Sequence, residues 1–394
     1  MSRRIALAAL AMAIGQTAVY LVRPTTSYRL LALGHGATAV GVVAATFALV
    51  PLFLAIPLGR RADRVHGAHL LLLGCAVETA GCLVLAVARS TALLGVGNAI
   101  VGIGHLSLAL GSQAVIARES DDEHHDRHFA LLTAGVSVGQ LAGPLLAGVL
   151  LGQHGGGLLP ATSRAMFVAA AVAAIATAVA GLAERGRATH RDAPRETGDV
   201  GLLPILRTRG VGGAIFASVA VLSAADIFTA YLPVLGEQRN IGPAAVGVLL
   251  ALRAGASLAS RVGIGQLVRR FGRRRLMTVA AGAAAAAFGA VTATDNPLLV
   301  GLFTVLVGAG LGFAQPLSMT IVVQLVPVHL RASALALRLT GNRLGQVAAP
   351  AAAAALAGAA GASTVFWMTS ALLAGSGAAI WLDDPPRSAR TLDA

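Results

Sequence analysis

The chain lacks lysine and has few charged or aromatic residues. Of its 394 residues, 12% are charged and 4% are aromatic, while 56% are hydrophobic. A soluble domain carries about 25% charged residues, so this composition excludes an ordinary soluble enzyme. The length accommodates about twelve helices of ~20 residues with short loops. The sequence therefore predicts an all-α polytopic membrane protein with twelve transmembrane helices.

The residues that most often carry enzyme chemistry form no recognisable site. Cys75 and Cys82 lie in one apolar segment and are expected to be buried as small hydrophobic residues. The arginines behind the formal charge of +13 are dispersed in short loops, which excludes a nucleic-acid interface on one face. We find no phosphate-binding loop, nucleophile elbow or zinc-binding helix. We predict a protein that is not an enzyme and binds no metal or cofactor.

Apolar runs divide the sequence into segments of membrane length. They lie near residues 5–31, 39–58, 68–88, 91–113, 129–151, 164–183, 211–235, 244–268, 276–293, 298–325, 332–356 and 364–382. Each is long enough to cross ~30 Å of hydrocarbon. Loop arginines gather on the side of both termini, whereas Arg89, Arg164 and Arg239 lie on the other side. The positive-inside rule then predicts a multi-pass plasma-membrane protein with both termini cytoplasmic.

A hydrophilic stretch in mid-chain separates two similar halves. Residues 184–210 are predicted to form a cytoplasmic linker between six-helix bundles at 1–183 and 211–394. The bundles align at a constant offset of 206 residues, which relates Gly41 to Gly247, Gly59 to Gly265, Arg64 to Arg270, Gly102 to Gly308, Gly104 to Gly310, Gly135 to Gly341, Gly139 to Gly345, Gln140 to Gln346 and Pro144 to Pro350. One offset across four helices indicates a duplicated unit. Two such halves that rock about a midplane site are typical of a transporter.

The loop after span 2 carries a motif that is repeated after span 8. The first copy contains Gly59, Asp63 and Arg64, and the second contains Gly265, Arg270 and Gly272. The pair resembles the G-x-x-x-D-[RK]-x-G-[RK]-[RK] signature of the major facilitator superfamily (MFS). The resemblance implies that Asp63 gates one closed state opposite the start of span 11. Arg269 stands where the second copy would have its aspartate, so we expect an asymmetric gate.

Span 5 carries a second motif, which consists of Gly135, Gly139, Gly143, Pro144 and Gly148. It resembles the G-x-x-x-G-P-x-x-G-G signature of MFS antiporters, chiefly drug/proton exporters, with Ala147 in place of one glycine. Glycines four residues apart form a flat stripe for close packing, and proline loosens a helix where rocking can pivot. Generic packing of small residues is the alternative role.

Three ionisable residues within the membrane are candidates for coupling or substrate binding. Asp226 lies in the middle of span 7, Arg23 in the outer half of span 1 and Glu78 near the centre of span 3. A charge in mid-membrane costs about 2.5–3.5 kcal/mol on insertion scales, so we predict coupling or substrate-binding roles for them. Asp226 and Arg23 could pair across the cavity, and a structural ion pair is the alternative. Span 4 has Asn98 where the MFS proton-coupling signature has arginine, so another group would have to carry protons.

Six further residues are candidates for lining the cavity: Gln16, Tyr20, Asn98, His105, Phe228 and Gln315. Helix–helix hydrogen bonding is the alternative role for such groups. Arg338 and Arg343 in span 11 also need acceptors within the membrane, and the sequence does not identify them.

The resemblance implies an MFS permease that moves a small organic solute across the lipid bilayer by alternating access, as a proton-coupled exporter. A monomer is expected to suffice. One alternative is an uptake symporter for a sugar or carboxylate, in which Arg23 binds an anionic group. The other is a non-transporting sensor or assembly partner with the same fold. The sequence does not identify the solute, the direction of transport, the coupling ion or the oligomeric state.

Overall fold

The part of the chain that the structure describes contains helices and no strands. The computed structural model describes residues 2–64, 67–120, 125–152, 157–185, 208–327 and 330–382, with side chains everywhere except at 55–64, 125–126 and 332. The helices are α1 (Arg3–Ala32), α2 (Ala37–Arg64), α3 (Gly67–Val87), α4 (Thr91–Glu119), α5 (His125–Gly152), α6 (Leu158–Arg185), α7 (Val211–Gln238), α8 (Pro243–Arg261), α9 (Ile264–Phe271), α10 (Arg273–Val291), α11 (Pro297–Leu325), α12 (Arg331–Ala360) and α13 (Ala362–Leu382). The predicted all-α class is confirmed.

Helical structure follows from the apolar composition of these segments. A backbone that crosses hydrocarbon must satisfy its polar groups within the same segment, and a helix does so. Polar residues mark several helix starts, where free N–H groups need acceptors. Ser2, Ser90 and Asn296 each accept a hydrogen bond from the first turn of α1, α4 and α11. Apolar runs with polar caps therefore set the helix boundaries.

Ten of the described helices are long and apolar enough to cross a membrane. α10 and α12, which lie at predicted spans 9 and 11, are not among these ten helices. α10 begins with three arginines, and α12 carries Arg338 and Arg343 along an alanine-rich sequence. The helices match the positions of the predicted runs, while the count of twelve spans stays a prediction.

The span predicted over residues 244–268 is present as α8, but its predicted C-terminal end is wrong. α8 ends at Arg261, and Gly263, with φ of 81°, precedes the separate helix α9. Gly272, with φ of 78°, separates α9 from α10. Glycine adopts this left-handed conformation without the steric cost that a Cβ imposes. The second copy of the loop motif is therefore mostly a helix of 8 residues.

The chain forms two compact units, and each draws on both halves of the sequence. Unit 1 contains Met1–Glu196, Ile227–Gly255 and Val347–Val365, and unit 2 contains Thr197–Asp226, Ala256–Gln346 and Phe366–Ala394. α7 passes from unit 2 to unit 1 after Asp226, and α12 does so after Gln346. The division of the chain into domains at 1–183 and 211–394 therefore stays a prediction.

The duplication is visible in helix contacts inside each unit. Gly139 of α5 packs against α1 at Thr17, and Gly345 of α12 packs against α7 at Ser223. All four positions are related by the offset of 206 residues. Each glycine allows the backbones of two helices to approach closely, as small residues do in membrane bundles. The same pair of helices is therefore joined in the same way in both halves.

Candidate functional site

Three side chains form a hydrogen-bonded chain between α7 and α12 in unit 2. Asp226 lies in the middle of α7 and is 5% exposed. Its Oδ2 atom accepts a hydrogen bond of 2.8 Å from Nε2 of Gln346. Oε1 of the same glutamine accepts a bond of 3.0 Å from the Arg343 guanidinium. We call Asp226, Arg343 and Gln346 the charged triad.

An uncharged set of residues occupies the same positions in the first half. Through the offset of 206 residues the charged triad corresponds to Tyr20, Ser137 and Gln140, which we call the neutral triad. Nε2 of Gln140 donates a bond of 3.2 Å to the phenol oxygen of Tyr20. Ser137 donates instead to the carbonyl of Thr133 in its own helix, at 3.0 Å. The glutamine hydrogen bond is repeated, whereas the two charges are not.

Arg23 lines a cleft in unit 1. The cleft encloses about 310 Å³ of space, part of it open to solvent, and its lining residues are Arg23, Thr26, Ser27, Leu30, Val40, Ala44, Phe47, Asn98 and Ala230. The Arg23 guanidinium lies 5.0 Å from the ring centre of Phe47 and 5.8 Å from that of Tyr20. Such cation–π contacts stabilise a partly buried guanidinium. The expected pairing of Arg23 with Asp226 stays a prediction.

Unit 1 also contains two close helix contacts, each between a helix from one half of the sequence and a helix from the other half. We call them the crossed contacts. A Cβ at Gly41 of α2 would lie 2.7 Å from the carbonyl oxygen of Pro350 in α12, and one at Gly247 of α8 would lie 2.5 Å from that of Pro144 in α5. The two contacts are related by the offset of 206 residues. Since real Cβ atoms do not approach so closely, glycine is required at both positions. The span 5 motif contributes Pro144 and its neighbour Gly148 to the second contact.

Glu78 is fully buried in α3 and faces α1 and α4. Neither of its carboxyl oxygens has a hydrogen-bond partner among the described residues. A Cβ at Gly15 of α1 would lie 3.4 Å from Oε1 of Glu78. Cys75 and Cys82 of the same helix are free thiols and buried, as expected. Glu78 therefore lies in a helix contact and not among the residues that line the Arg23 cleft.

The acceptors of Arg338 are neutral groups of α11. The guanidinium donates to the backbone carbonyl of Gln315 at 3.3 Å, to its side-chain oxygen at 3.0 Å and to the hydroxyl of Ser318 at 3.2 Å. Arg338 is 6% exposed, so these bonds replace water around a buried charge. Gln315, predicted to line the cavity, thus serves as an acceptor between α11 and α12.

Arg29, which the sequence analysis missed, is the largest fully buried side chain at 2% exposure. It donates to the carbonyl of Ala88 at 3.0 and 2.7 Å, to the carbonyl of Leu159 at 3.0 Å, and to the hydroxyls of Thr162 and Ser163. These bonds tie α1 to the end of α3 and the start of α6. The position of Arg29 in the apolar run of span 1 is the signal that could have singled it out.

The other predicted cavity residues lie in several different contacts. Gln16 and Phe228 are buried at 3% and 0% exposure. Asn98 lines the Arg23 cleft and donates to a backbone carbonyl of α2 at 2.6 Å. The ring of His105 lies 5.7 Å from the Phe47 ring. Of this set, the structure brings Asn98 to the Arg23 cleft, and Tyr20 lies against the Arg23 guanidinium.

The predicted gate falls largely outside the described residues. α2 continues through Gly59 and Asp63 to Arg64, but the side chains of these three residues lie outside the description. In the second copy, Gly265 and Arg270 belong to α9, and Gly272 separates α9 from α10. The Arg270 guanidinium lies 5.3 Å from the centre of the Phe271 ring. The gating role of the motif stays a prediction.

The first three glycines of the span 5 motif form the stripe that was predicted from their spacing. Gly135, Gly139 and Gly143 of α5 all lie against the backbone or short side chains of α1. A Cβ at Gly143 would come within 2.7 Å of Thr17 and Tyr20. This stripe sets α5 directly beside the helix that carries Tyr20 and Arg23.

Comparison with known proteins identifies the family. The sequence model of the Major Facilitator Superfamily matches residues 5–300 and 214–394. The chain therefore belongs to this superfamily. It is a multi-pass membrane protein with the fold of a transporter, not an enzyme.

A curated relative and several solved structures resemble the chain. A class C tetracycline resistance protein of Escherichia coli is 35% identical over 133 residues, which are 34% of this chain and 31% of that protein. The chain thus matches about a third of that relative's length. The nucleoside transporter NupG superposes with a TM-score of 0.69 at 15% identity, over 97% of this chain and 99% of NupG. A POT family transporter in complex with a thioalcohol-conjugated peptide gives 0.78 at 14% identity, over 96% of both chains.

A bacterial homolog of the human lysosomal transporter Spinster, in an inward-facing and unoccupied conformation, also superposes with the chain. Its TM-score is 0.74 at 15% identity, over 97% of both chains. At these identities the three structures establish the fold alone.

Proposed function

We propose that the protein exports a small organic solute across the plasma membrane by alternating access, in exchange for protons. Both termini are cytoplasmic in this proposal. The observation that carries it is Asp226, a buried carboxylate in the middle of a transmembrane helix whose counterpart in the other half is uncharged. A carboxylate buried within a membrane is expensive to keep and is typical of a proton-carrying site.

The contacts of unit 1 support a state that is closed at one end. The crossed contacts at Gly41 and Gly247 lie at the helix ends remote from the N-terminus. Ser27 of α1 adds a hydrogen bond of 2.8 Å to the carbonyl of Ala230 in α7. With cytoplasmic termini this end is extracellular. Closure at this end would leave the Arg23 cleft accessible to a solute from the cytoplasm. Export requires such access.

The span 5 motif and the tetracycline resistance relative support export as the direction of transport. Tetracycline is therefore the first solute to test. The purified full-length protein would be reconstituted in liposomes with the proton gradient opposed to, aligned with or absent from the tetracycline gradient. We expect uphill tetracycline movement against an opposing proton flow, and exchange of tetracycline without any proton gradient.

The outcomes separate this function from its alternatives. Flux that is unaffected by the proton gradient would contradict proton coupling. Absence of both flux and exchange in correctly folded protein would favour a sensor or assembly partner. Movement of solute together with protons would favour uptake.

Uptake of an anionic solute is the second candidate function, and the Arg23 cleft favours it. The only charged side chain among the described residues that line the cleft is a guanidinium, which can bind a carboxylate through two parallel hydrogen bonds. Benzoate and its uncharged analogue benzamide provide a matched pair of probes. Proton-aligned benzoate uptake that is lost in Arg23→Gln would support this candidate, and equal handling of the two probes would contradict it.

A further inference from the structure

The short helix α9 separates its apolar and polar side chains onto two arcs. The apolar side chains share an arc of about 100° at 3.6 residues per turn. They are Ile264, Leu267, Val268 and Phe271. The remaining arc carries Gly265, Gln266, Arg269 and Arg270. A helix with arginine opposite a compact apolar arc is typical of one that lies in the plane of a membrane surface.

The apolar arc of α9 is only partly covered by protein. No residue of α9 is buried. Phe271 is 44% exposed, and Ile264, Leu267 and Val268 are half-buried. A helix of 8 residues is marginally stable in water by itself, so a further apolar surface is expected to support it.

The position of α9 in the chain places it beside the membrane. α8 is long and apolar enough to cross a membrane and ends at Arg261, three residues before α9 begins. Gly263 and Gly272 have positive φ angles of 81° and 78°, which allow the chain to change direction at both ends of α9. At 1.5 Å per residue the helix is about 12 Å long. Its apolar arc therefore remains within reach of the acyl chains next to α8.

The charge of this segment complements anionic headgroups. Residues 269–275 contain five arginines, and no acidic residue occurs over residues 238–294. No ion pair joins Arg269, Arg270 or Arg275 to a carboxylate of the described residues. A guanidinium binds phosphate oxygens through parallel hydrogen bonds. The polar arc and the residues that follow it thus fit a surface of phosphate groups.

The first half of the sequence lacks this arrangement. Through the offset of 206 residues α9 corresponds to residues 58–65, most of which belong to the continuous helix α2. Arg61 stands in place of Leu267, so a charge interrupts the corresponding apolar arc. Asp63 stands in place of Arg269. The duplicated fold therefore does not by itself require an amphipathic helix at this position.

We propose that α9 is an in-plane helix that binds anionic phospholipids of the cytoplasmic leaflet. Its apolar arc lies among the upper acyl chains, while Arg269 and Arg270 bind the phosphate groups. Basic segments that adjoin membrane helices attract anionic lipids in this way. The inference goes beyond the proposed function and takes from it only the orientation, which places the end of α8 on the cytoplasmic side.

The test compares the contact of α9 with two lipids that differ in charge. The full-length protein with Cys75→Ala/Cys82→Ala carries an apolar fluorescent label at Leu267→Cys, in liposomes with equal amounts of phosphatidylglycerol and phosphatidylcholine. One lipid at a time has brominated acyl chains, which quench the label on contact. We expect brominated phosphatidylglycerol to quench about twofold more strongly than brominated phosphatidylcholine. A label at Gln266→Cys, in the polar arc, should be quenched less by both lipids.

Two variants of equal charge show whether the lipid preference belongs to α9. Arg269→Gln/Arg270→Gln should lower the ratio of the two quenching values towards one. Arg3→Gln/Arg331→Gln removes the same charge at the starts of α1 and α12, on the same side of the membrane, and should keep the ratio. All four arginines are exposed, so neither variant is expected to impair folding.

Salt provides a second readout that needs no substitution. Between about 0.1 M and 1 M salt the Debye length falls from about 10 Å to about 3 Å, so the preference for phosphatidylglycerol should weaken. Equal quenching by the two lipids at low salt, or a preference that persists in Arg269→Gln/Arg270→Gln, would overturn the proposal. Equal quenching of labels at positions 266 and 267 would also overturn it. No solute or proton gradient takes part, so these results are independent of the transport experiments.

Discussion

The charged and neutral triads place the same glutamine bond in two different electrostatic settings. Gln346 connects a carboxylate to a guanidinium, while Gln140 binds the phenol of Tyr20. The helix contacts next to the two glutamines are repeated as well. Gly139 packs against α1, and Gly345 at the equivalent position packs against α7. The duplicated unit therefore supplies a common scaffold, and one half adds the charges to it. In the proposed function, the half that holds these charges carries the coupling chemistry.

Breaking the charged triad should have the largest effect on stability. Arg343→Met removes the buried cation that Gln346 links to Asp226, and loss of one member of a buried charged network costs about 3–5 kcal/mol. Thermal or denaturant unfolding in a mild detergent would measure the cost. The double variant Arg343→Met/Asp226→Asn should recover much of it, because the triad then contains no charge. A double variant that is no more stable than Arg343→Met would contradict the account of the triad.

Arg29 offers a second comparison between the halves, because its counterpart through the offset of 206 residues is Leu235, which is also 2% exposed. Arg29→Met removes both guanidinium bonds to the buried Ala88 carbonyl and the bonds to the start of α6, and we expect destabilisation by about 2–4 kcal/mol. Leu235→Met conserves volume and should cost less than about 1.5 kcal/mol. Unfolding of the two variants side by side would test this. Equal costs would mean that the hydrogen bonds of Arg29 contribute little.

The crossed contacts at Gly41 and Gly247 are the region in which the halves should behave alike. Gly41→Val and Gly247→Val each force a side chain into a neighbouring backbone, at a cost of about 1–3 kcal/mol. Both should open this end of unit 1. Spin labels on Gly36→Cys and Gln238→Cys, at exposed positions of unit 1, would report a longer distance in both variants. A response to only one substitution would show that the two contacts are not equivalent.

The smallest effect is expected in the neutral triad. Gln140→Met removes one hydrogen bond between uncharged groups, which is worth about 0.5–1.5 kcal/mol. Unfolding measurements should place its cost well below that of Arg343→Met. A cost as large as that of Arg343→Met would remove the distinction between the triads.

The sequence predicted the scaffold better than the site. Hydrophobic runs and the offset between halves were sufficient for the helices, because membrane helices are set by local composition. The break at Gly263 was missed since a single glycine inside an apolar run does not reveal a positive φ. Asp226 could be singled out as a charge in an apolar span. Its link to Arg343 could not, because it depends on the rotamer of Gln346, which the sequence does not encode locally.

Arg29 and Arg338 illustrate the same limit in another way. A buried arginine suggests a search for a carboxylate, yet backbone carbonyls, amides and hydroxyls serve as the acceptors here. Every helix has such groups, so no pattern of residue types identifies them. Only the packing of α1 against α3 and α6, and of α12 against α11, brings them into reach.

The most direct test of the central claim is proton-driven tetracycline transport by two matched variants in liposomes. We predict that Asp226→Asn loses acceleration by the proton gradient and still exchanges tetracycline, while Gln140→Met keeps its response to the gradient. Gradient-driven transport that persists in Asp226→Asn, or that is lost in Gln140→Met alone, would contradict the assignment of coupling to the charged triad.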